Sequence, residues 1–310
     1  FKMGDYLRLS TISIWGNPSA AVQLADTTLL DIAKASAGQS NAALKSGSLQ
    51  ALIADGPAAM TALARLVAEA DGGQHAAARV SDVVLMAPMP RLQKNIFCVG
   101  RNYAAHIAEG EKAQNIKIGI TELPVFFTKP PTTVVPPEGD ILMFPAVSEA
   151  VDYEVELAIV IGKAGRNIAK EDAFDHIFGY TILNDITARD VQRRHGGQYF
   201  KGKALDGSCP IGPWIVTADA ISDPHALSIG LTVNGEQRQN GKTSDMIFDI
   251  PTLIASLSEG LTLEPGDIIA TGTPSGVGYA MDPPCFLKAG DVVVCDIAEI
   301  GQLRNTVRVA

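Results

Sequence analysis

The chain has 310 residues, 46% of them hydrophobic, enough to bury one large core, or one large and one small, but not three independent ones. With 34 acidic against 25 basic residues and a formal net charge of -9, it has no electrostatic means of holding a polyphosphate backbone, which excludes nucleic acid as a partner. Apolar runs such as residues 157–161 fall far short of the roughly 20 residues a membrane span needs. No basic segment precedes an early apolar run, so a cytoplasmic protein with no membrane association or export signal is expected.

Phe1 and Lys2 stand before Met3, where translation ordinarily starts, and are expected to be foreign to the native chain. The Ala-rich stretch 5–90 carries one clear element, a run from Ala58 to Val67 that follows Asp55-Gly56-Pro57 and reads as a helix with proline near its first turn. After Asp71-Gly72-Gly73-Gln74 the texture changes to short β-branched segments separated by Gly and Pro. The chain is therefore divided into a small N-terminal domain, residues 1–90, and a second domain, residues 91–310. Strands are expected over residues 95–99, 125–128, 154–161, 179–184, 214–217, 227–233, 267–271 and 291–297. So many short strands, with helices on the flanks, predict an α+β fold built on a mixed sheet that is rolled or sandwiched. Cys98, Cys209, Cys285 and Cys295 form no Cys-x-x-Cys pair, which argues against a zinc cage or a disulfide framework and makes them small core residues in a reducing compartment.

In Asp152-Tyr153-Glu154-Val155-Glu156-Leu157, Glu154 and Glu156 lie two apart on an expected strand, so both carboxylates leave the same face while Val155 and Leu157 face a core. Two such charges repel unless water or a cation compensates them. Spacing alone is equally consistent with a solvated strand face. Asp185, at the end of the apolar segment 179–184, is a candidate third ligand or a helix N-cap. Three carboxylates without Cys or paired His make a hard site, suited to Mg or Mn rather than Zn or Cu.

The segment Gly100-Arg101-Asn102-Tyr103-Ala104-Ala105-His106-Ile107-Ala108-Glu109-Gly110 reads as a strand end, a turn and a short helix capped by Asn102 and ended by Gly110. His106 and Glu109 then share a helical face, as a general base with its orienting carboxylate or as an ordinary surface pair. The other histidines, His75, His176, His195 and His225, are assigned to the surface.

These segments occur in order with Phe127-Thr128-Lys129-Pro130, Asn184-Asp185 followed by Ala188-Arg189-Asp190 and Gln192, Gly202-Lys203 with Asp206, Cys209-Pro210-Ile211-Gly212-Pro213, and Thr271-Gly272-Thr273-Pro274-Ser275-Gly276-Val277-Gly278. Over residues 91–310 the set resembles the fumarylacetoacetate hydrolase family. Full-length fumarylacetoacetases carry a further acidic ligand just before the Tyr of the first motif. This sequence has Arg101, and so resembles the smaller acylpyruvase-like branch.

The resemblance implies a mixed β-roll catalytic domain, a homodimer, and Mg or Mn on Glu154, Glu156 and Asp185. It implies further that His106 and Glu109 activate water on a lid helix, that Lys203 reaches the reacting oxygens, and that Arg101, Tyr103, Arg189, Gln192 and Thr273 contact a small 2-oxo acid. For Arg189, an ion pair with Asp190 or another acid is an equal reading, and Lys129 and Asp206 are left as salt-bridge residues. The leading expectation is a hydrolase that cleaves a carbon–carbon bond in 2,4-dioxo acids, with decarboxylation or tautomerisation of a 2-oxo acid as the alternative on the same site. A metal- or ligand-binding protein without turnover is the remaining reading.

Overall fold

The computed structural model describes residues 7–310 apart from Trp15, Asp26, Gly72, Gln74, Ala76 and Ile118, so Phe1, Lys2 and part of the expected break after Asp71 lie outside the described residues. The strand Val155–Ile161 is apolar at every position but one, the pattern a strand needs when both of its faces are covered. Val155, Leu157, Ile159 and Ile161 point into one core, together with Leu231, Val293, Cys295 and Leu303 of a second sheet. Ala158 and Val160 point into another, closed by Leu52, Ile53, Leu63 and Leu66 of the helices Leu49–Asp55 and Pro57–Asp71. The fold is α+β as expected, a sheet buried between a second sheet and a layer of helices.

Val155–Ile161 pairs antiparallel with Ile177–Asn184 on one side and with Ile268–Ala270 on the other. Ile96–Gly100 adds in parallel beyond Ile268–Ala270, and Val125–Lys129 follows it antiparallel. In the other direction Cys209–Thr217 follows Ile177–Asn184, and Arg8–Ile14 joins it with Arg8 opposite Val216 and Leu9 opposite Ile215. The second sheet runs Glu236–Lys242, Ser228–Val233, Val292–Ile297, Gly301–Val309 and Asp140–Met143. Among the described residues no single helix is long and apolar enough to cross a membrane. The pair Leu49–Asp55 and Pro57–Ala70 passes that test only jointly and is bent by 119°.

The strands Arg8–Ile14, Asn17–Ala25 and Thr28–Asp31 were not expected from the Ala-rich composition. Here burial decides: Leu9, Ile12, Ala20 to Val22, Leu29 and Leu30 are all enclosed, and that burial overrides alanine's preference for helix. Glu236–Lys242, with hardly an apolar side chain, is a strand only because Ser228–Val233 offers it an edge.

The helix of the first motif also departs from expectation. It spans Ala104–Gln114, with Tyr103 at the N-cap and Asn115 at the C-cap in the left-handed region (φ 52°). Gly110 lies inside it and does not end it; glycine there makes room for the Tyr279 hydroxyl, which sits 2.5 Å from where a Cβ would be. Asn102 does not cap the helix. Its Nδ2 donates to the carbonyls of Phe248 (3.0 Å) and Thr271 (2.8 Å), and its Oδ1 accepts from the Phe248 amide (2.8 Å). Three segments distant in sequence thus meet on one buried amide. Asn102→Ala would strand buried backbone groups and is expected to lower unfolding free energy by on the order of 3 kcal/mol, read from the urea midpoint at constant slope.

Candidate active site

Asp152, Glu154 and Glu156 recur at every second residue into the strand Val155–Ile161, and all three are buried. The solvated strand face is thereby excluded: Glu154 is 4% exposed and Glu156 1%. Asp185 follows the neighbouring strand, whose register sets Asn184 opposite Val155. The Asp185 amide donates to the Glu154 carbonyl (2.8 Å), and Asn184 Oδ1 accepts from the Glu154 amide (3.0 Å). Two strand ends are therefore pinned together, and one oxygen each of Glu154, Glu156 and Asp185 comes within 4.8 Å of the others.

Cations gather round this cluster. Lys203 Nζ lies 2.6 Å from Glu154 Oε2 and 2.7 Å from Asp185 Oδ2. Arg189 Nη2 lies 2.6 Å from Glu154 Oε1 and its Nε 2.9 Å from Asp152 Oδ2, while Lys129 Nζ lies 2.8 Å from Asp185 Oδ1. Lys129 directs its hydrogen bonds at the carbonyls of Ile186 and Lys203, so its approach to Asp185 Oδ1 is a charge contact and that oxygen has no aligned hydrogen bond. Glu156 accepts the Gly272 amide at 2.8 Å and has no ion pair among the described residues.

Four carboxylates face three cationic side chains, and Glu156 is the one left over. Burial, followed by the charges of Asp185 and Glu154, pushes its pKa well above the usual carboxylate range. For Glu154, burial also acts upward, but Lys203 and Arg189 outweigh it and hold the group low. Burial pulls Lys203 down, yet Asp185 and Glu154 raise it above an ordinary lysine. Buried hard oxygens, one charge short of balance and with an orphaned carboxylate oxygen among them, suit an oxygen-seeking divalent cation.

Glu154 and Glu156 line a cavity of about 300 Å³, together with His106, Lys203 and, from the expected contact residues, Arg101, Arg189, Gln192 and Thr273. His106 Nδ1 is 2.8 Å from Glu109 Oε1, and Glu109 Oε2 accepts the Gly276 amide at 2.7 Å, so the two side chains pair and the middle of the helix is tied to the loop 271–279. Thr273 is committed to structure as well: its hydroxyl donates to the Val155 carbonyl and accepts from Gln239 Nε2. Arg189 resolves toward the ion-pair reading, with Asp152 and Glu154 as partners and the Tyr279 ring 4.4 Å below it. Asp190 instead accepts from Ser148 Oγ and the Val191 amide.

Tyr103 does not line the cavity. It is buried, pairs with Met246 in an isolated bridge, and its hydroxyl has no hydrogen-bond partner among the described residues. His176, assigned to the surface from sequence, is buried and bonds the Lys163 carbonyl through Nδ1, whereas Asp206 is exposed. The sequence reading left Lys129 out and gave no role to Asp152. Asp152 could have been found by carrying the Glu154–Glu156 alternation back one step. The burial of Lys129 has no local signal, because Lys129 ends an ordinary strand.

The family model described as fumarylacetoacetate (FAA) hydrolase C-terminal matches residues 95–308. The chain belongs to the fumarylacetoacetate hydrolase family. Within that family, oxaloacetate tautomerase YisK of Bacillus subtilis (strain 168) is 54% identical over 230 residues, 74% of each chain. A mitochondrial oxaloacetate tautomerase of Xenopus laevis is 47% identical over 238 residues, 76% of this chain and 72% of that one. The solved fumarylacetoacetate hydrolase of Exiguobacterium antarcticum superposes with a TM-score of 0.79 at 38% identity, covering 98% of this chain and 100% of that one.

These relatives overturn the expectation of a carbon–carbon hydrolase, since the two curated proteins are tautomerases. The physical reason for the error is plain: cleavage and tautomerisation both need a stabilised enolate and a proton carrier. The motifs encode those two parts and not the presence of a reacting water.

Lys129 supplies a test of the charge balance. Replacing it with methionine leaves Asp185 buried without that cation, and the metal-free protein is expected to lose about 3–5 kcal/mol of stability. Added Mn²⁺ should recover part of the loss by binding the folded state, seen as a larger Mn²⁺-induced rise in melting temperature than the unaltered protein shows.

Proposed function

We propose that the protein interconverts the keto and enol forms of oxaloacetate. The reading is carried by His106, which is paired with Glu109 and lines the same cavity as Glu154 and Glu156, the two carboxylates clustered with Asp185, and it is supported by the activity of the two tautomerases named above. Glu154, Glu156 and Asp185 would hold a divalent cation, Mg or Mn by the hardness of their oxygens, and such a cation when bound supplies positive charge that lowers the cost of an enolate.

The chain's own residues do the rest. Glu109 occupies His106 Nδ1, leaving Nε2 to take a proton from C3 of oxaloacetate. The imidazolium then returns a proton to the 2-oxygen. One C–H bond breaks, one O–H bond forms, and no water is consumed. Lys203, kept charged by Asp185 and Glu154, presents an ammonium to the oxygen where negative charge gathers. Arg189 serves by fixing Glu154, which it bridges to Asp152 through Nη2 and Nε.

The enol absorbs in the ultraviolet where the keto form does not, so relaxation of freshly dissolved oxaloacetate can be followed directly, with carbon dioxide measured in parallel. Acceleration over buffer that depends on Mg²⁺ or Mn²⁺, and is abolished by a chelator, is the expected result. His106→Ala is expected to lower the turnover number by about 10²–10⁴-fold. Relaxation no faster than in buffer, or carbon dioxide released at the rate oxaloacetate disappears, would sink the proposal.

A further inference from the structure

Away from the carboxylates, the cavity wall is cationic. Its only acidic lining residues are Glu154 and Glu156, whereas Arg101 and Arg193 also line it and neither forms an ion pair among the described residues. Arg101 is the more deliberately placed of the two. It directly follows the strand Ile96–Gly100 with φ at 59°, a left-handed conformation that a non-glycine residue adopts only where its surroundings hold it there.

Its side chain lies against an aromatic pair. The Arg101 guanidinium lies 5.7 Å from the centroid of the Tyr199 ring, and Tyr199 meets Phe127 edge-on with centroids 5.3 Å apart. Gly100 makes room for this, because a Cβ there would come within 2.9 Å of Tyr199 Cε2. Lys203 Nζ in turn lies 5.1 Å from the centroid of Phe127, and the helix Tyr199–Lys203 carries both Tyr199 and Lys203. The two aromatic rings therefore hold a fixed separation between the ammonium at the carboxylate cluster and the guanidinium of Arg101. A guanidinium held by a ring rather than by an acid keeps its N–H groups available for a carboxylate.

We propose that Arg101 is a specificity residue that binds the second carboxylate of a two-carboxylate 2-oxo acid, the group farther from the keto carbon. The proposal rests on the 2-oxo acid reading of the site and selects dicarboxylates within that class. It assigns the Arg101 guanidinium to recognition and gives it no part in proton transfer.

Oxaloacetate and 2-oxobutanoate have four carbons each and differ in ending on a carboxylate or a methyl group, so the ratio of their affinities isolates the second carboxylate. Calorimetry in Mg²⁺ should show the unaltered protein preferring oxaloacetate by about ten- to a hundredfold, the range a charge-assisted pair supplies. Arg101→Asn, chosen because asparagine tolerates the left-handed backbone, should reduce the preference to about threefold or less while leaving 2-oxobutanoate affinity unchanged, which also reports that the site is folded. Arg101→Lys should restore part of the preference. Equal affinities in the unaltered protein, or a preference that survives Arg101→Asn, would overturn the assignment. The outcome is separable from that of the reaction: a preference lost in Arg101→Asn alongside oxaloacetate relaxation at the buffer rate supports Arg101 and removes the tautomerase reading. Accelerated relaxation with an unchanged ratio does the reverse.

Discussion

Glu156 lies on a strand whose next inward-facing neighbours are Ala158 and Val160, with one backbone amide as its hydrogen-bond donor and two like charges beside it. In so apolar a setting the repulsion among Glu154, Glu156 and Asp185 is little screened, and ionising all three requires that positive charge be brought to them. Much of the architecture around the cavity follows from that requirement. Val125–Lys129 ends in one cation, the helix Tyr199–Lys203 ends in another, and Arg189–Arg194 opens with a third. The set stops one cation short of the four carboxylates, a deficit that a bound cation would fill.

The same requirement explains why Asp152 is present although it belongs to no ligand set. Arg189 would add its full charge to Glu154 if it were alone. Shared with Asp152 and stacked on Tyr279, it holds Glu154 in position while yielding part of its charge to a second acid. The cluster is thus tuned through the geometry of its counter-ions, and the residues that tune it lie on elements remote from one another in sequence.

Where the physics is local, the sequence is readable. The alternation of Glu154 and Glu156 with Val155 and Leu157 follows from the period of a strand, and the pairing of His106 with Glu109 from the pitch of a helix. Asp185 was accessible because it ends an apolar run with no helix to cap. What stayed hidden depends on packing between distant segments. Three strands before residue 32 exist because Cys209–Thr217 offers an edge to pair with, and Lys129 is buried because Asp185 comes to meet it. Asn102, with a capping residue's chemistry at a helix start, is drawn off by Phe248 and Thr271. The reaction type was the least legible feature, because hydrolysis and tautomerisation place the same demands on these side chains.

The loop 271–279 fastens more than one part of the site at once. Its amides at Gly272, Gly276 and Gly278 donate to Glu156, Glu109 and Asp152, and Tyr279 adds a second amide to Asp152. Side chains at 276 and 278 would strike the carbonyls of Arg238 and Cys285 behind it. The loop therefore works as a jig: the spacing of its N–H groups along the backbone fixes how far the base stands from the acids, and glycine at 276 and 278 lets it lie close enough to do so. Lengthening it by a single residue would throw base and ligands out of register together.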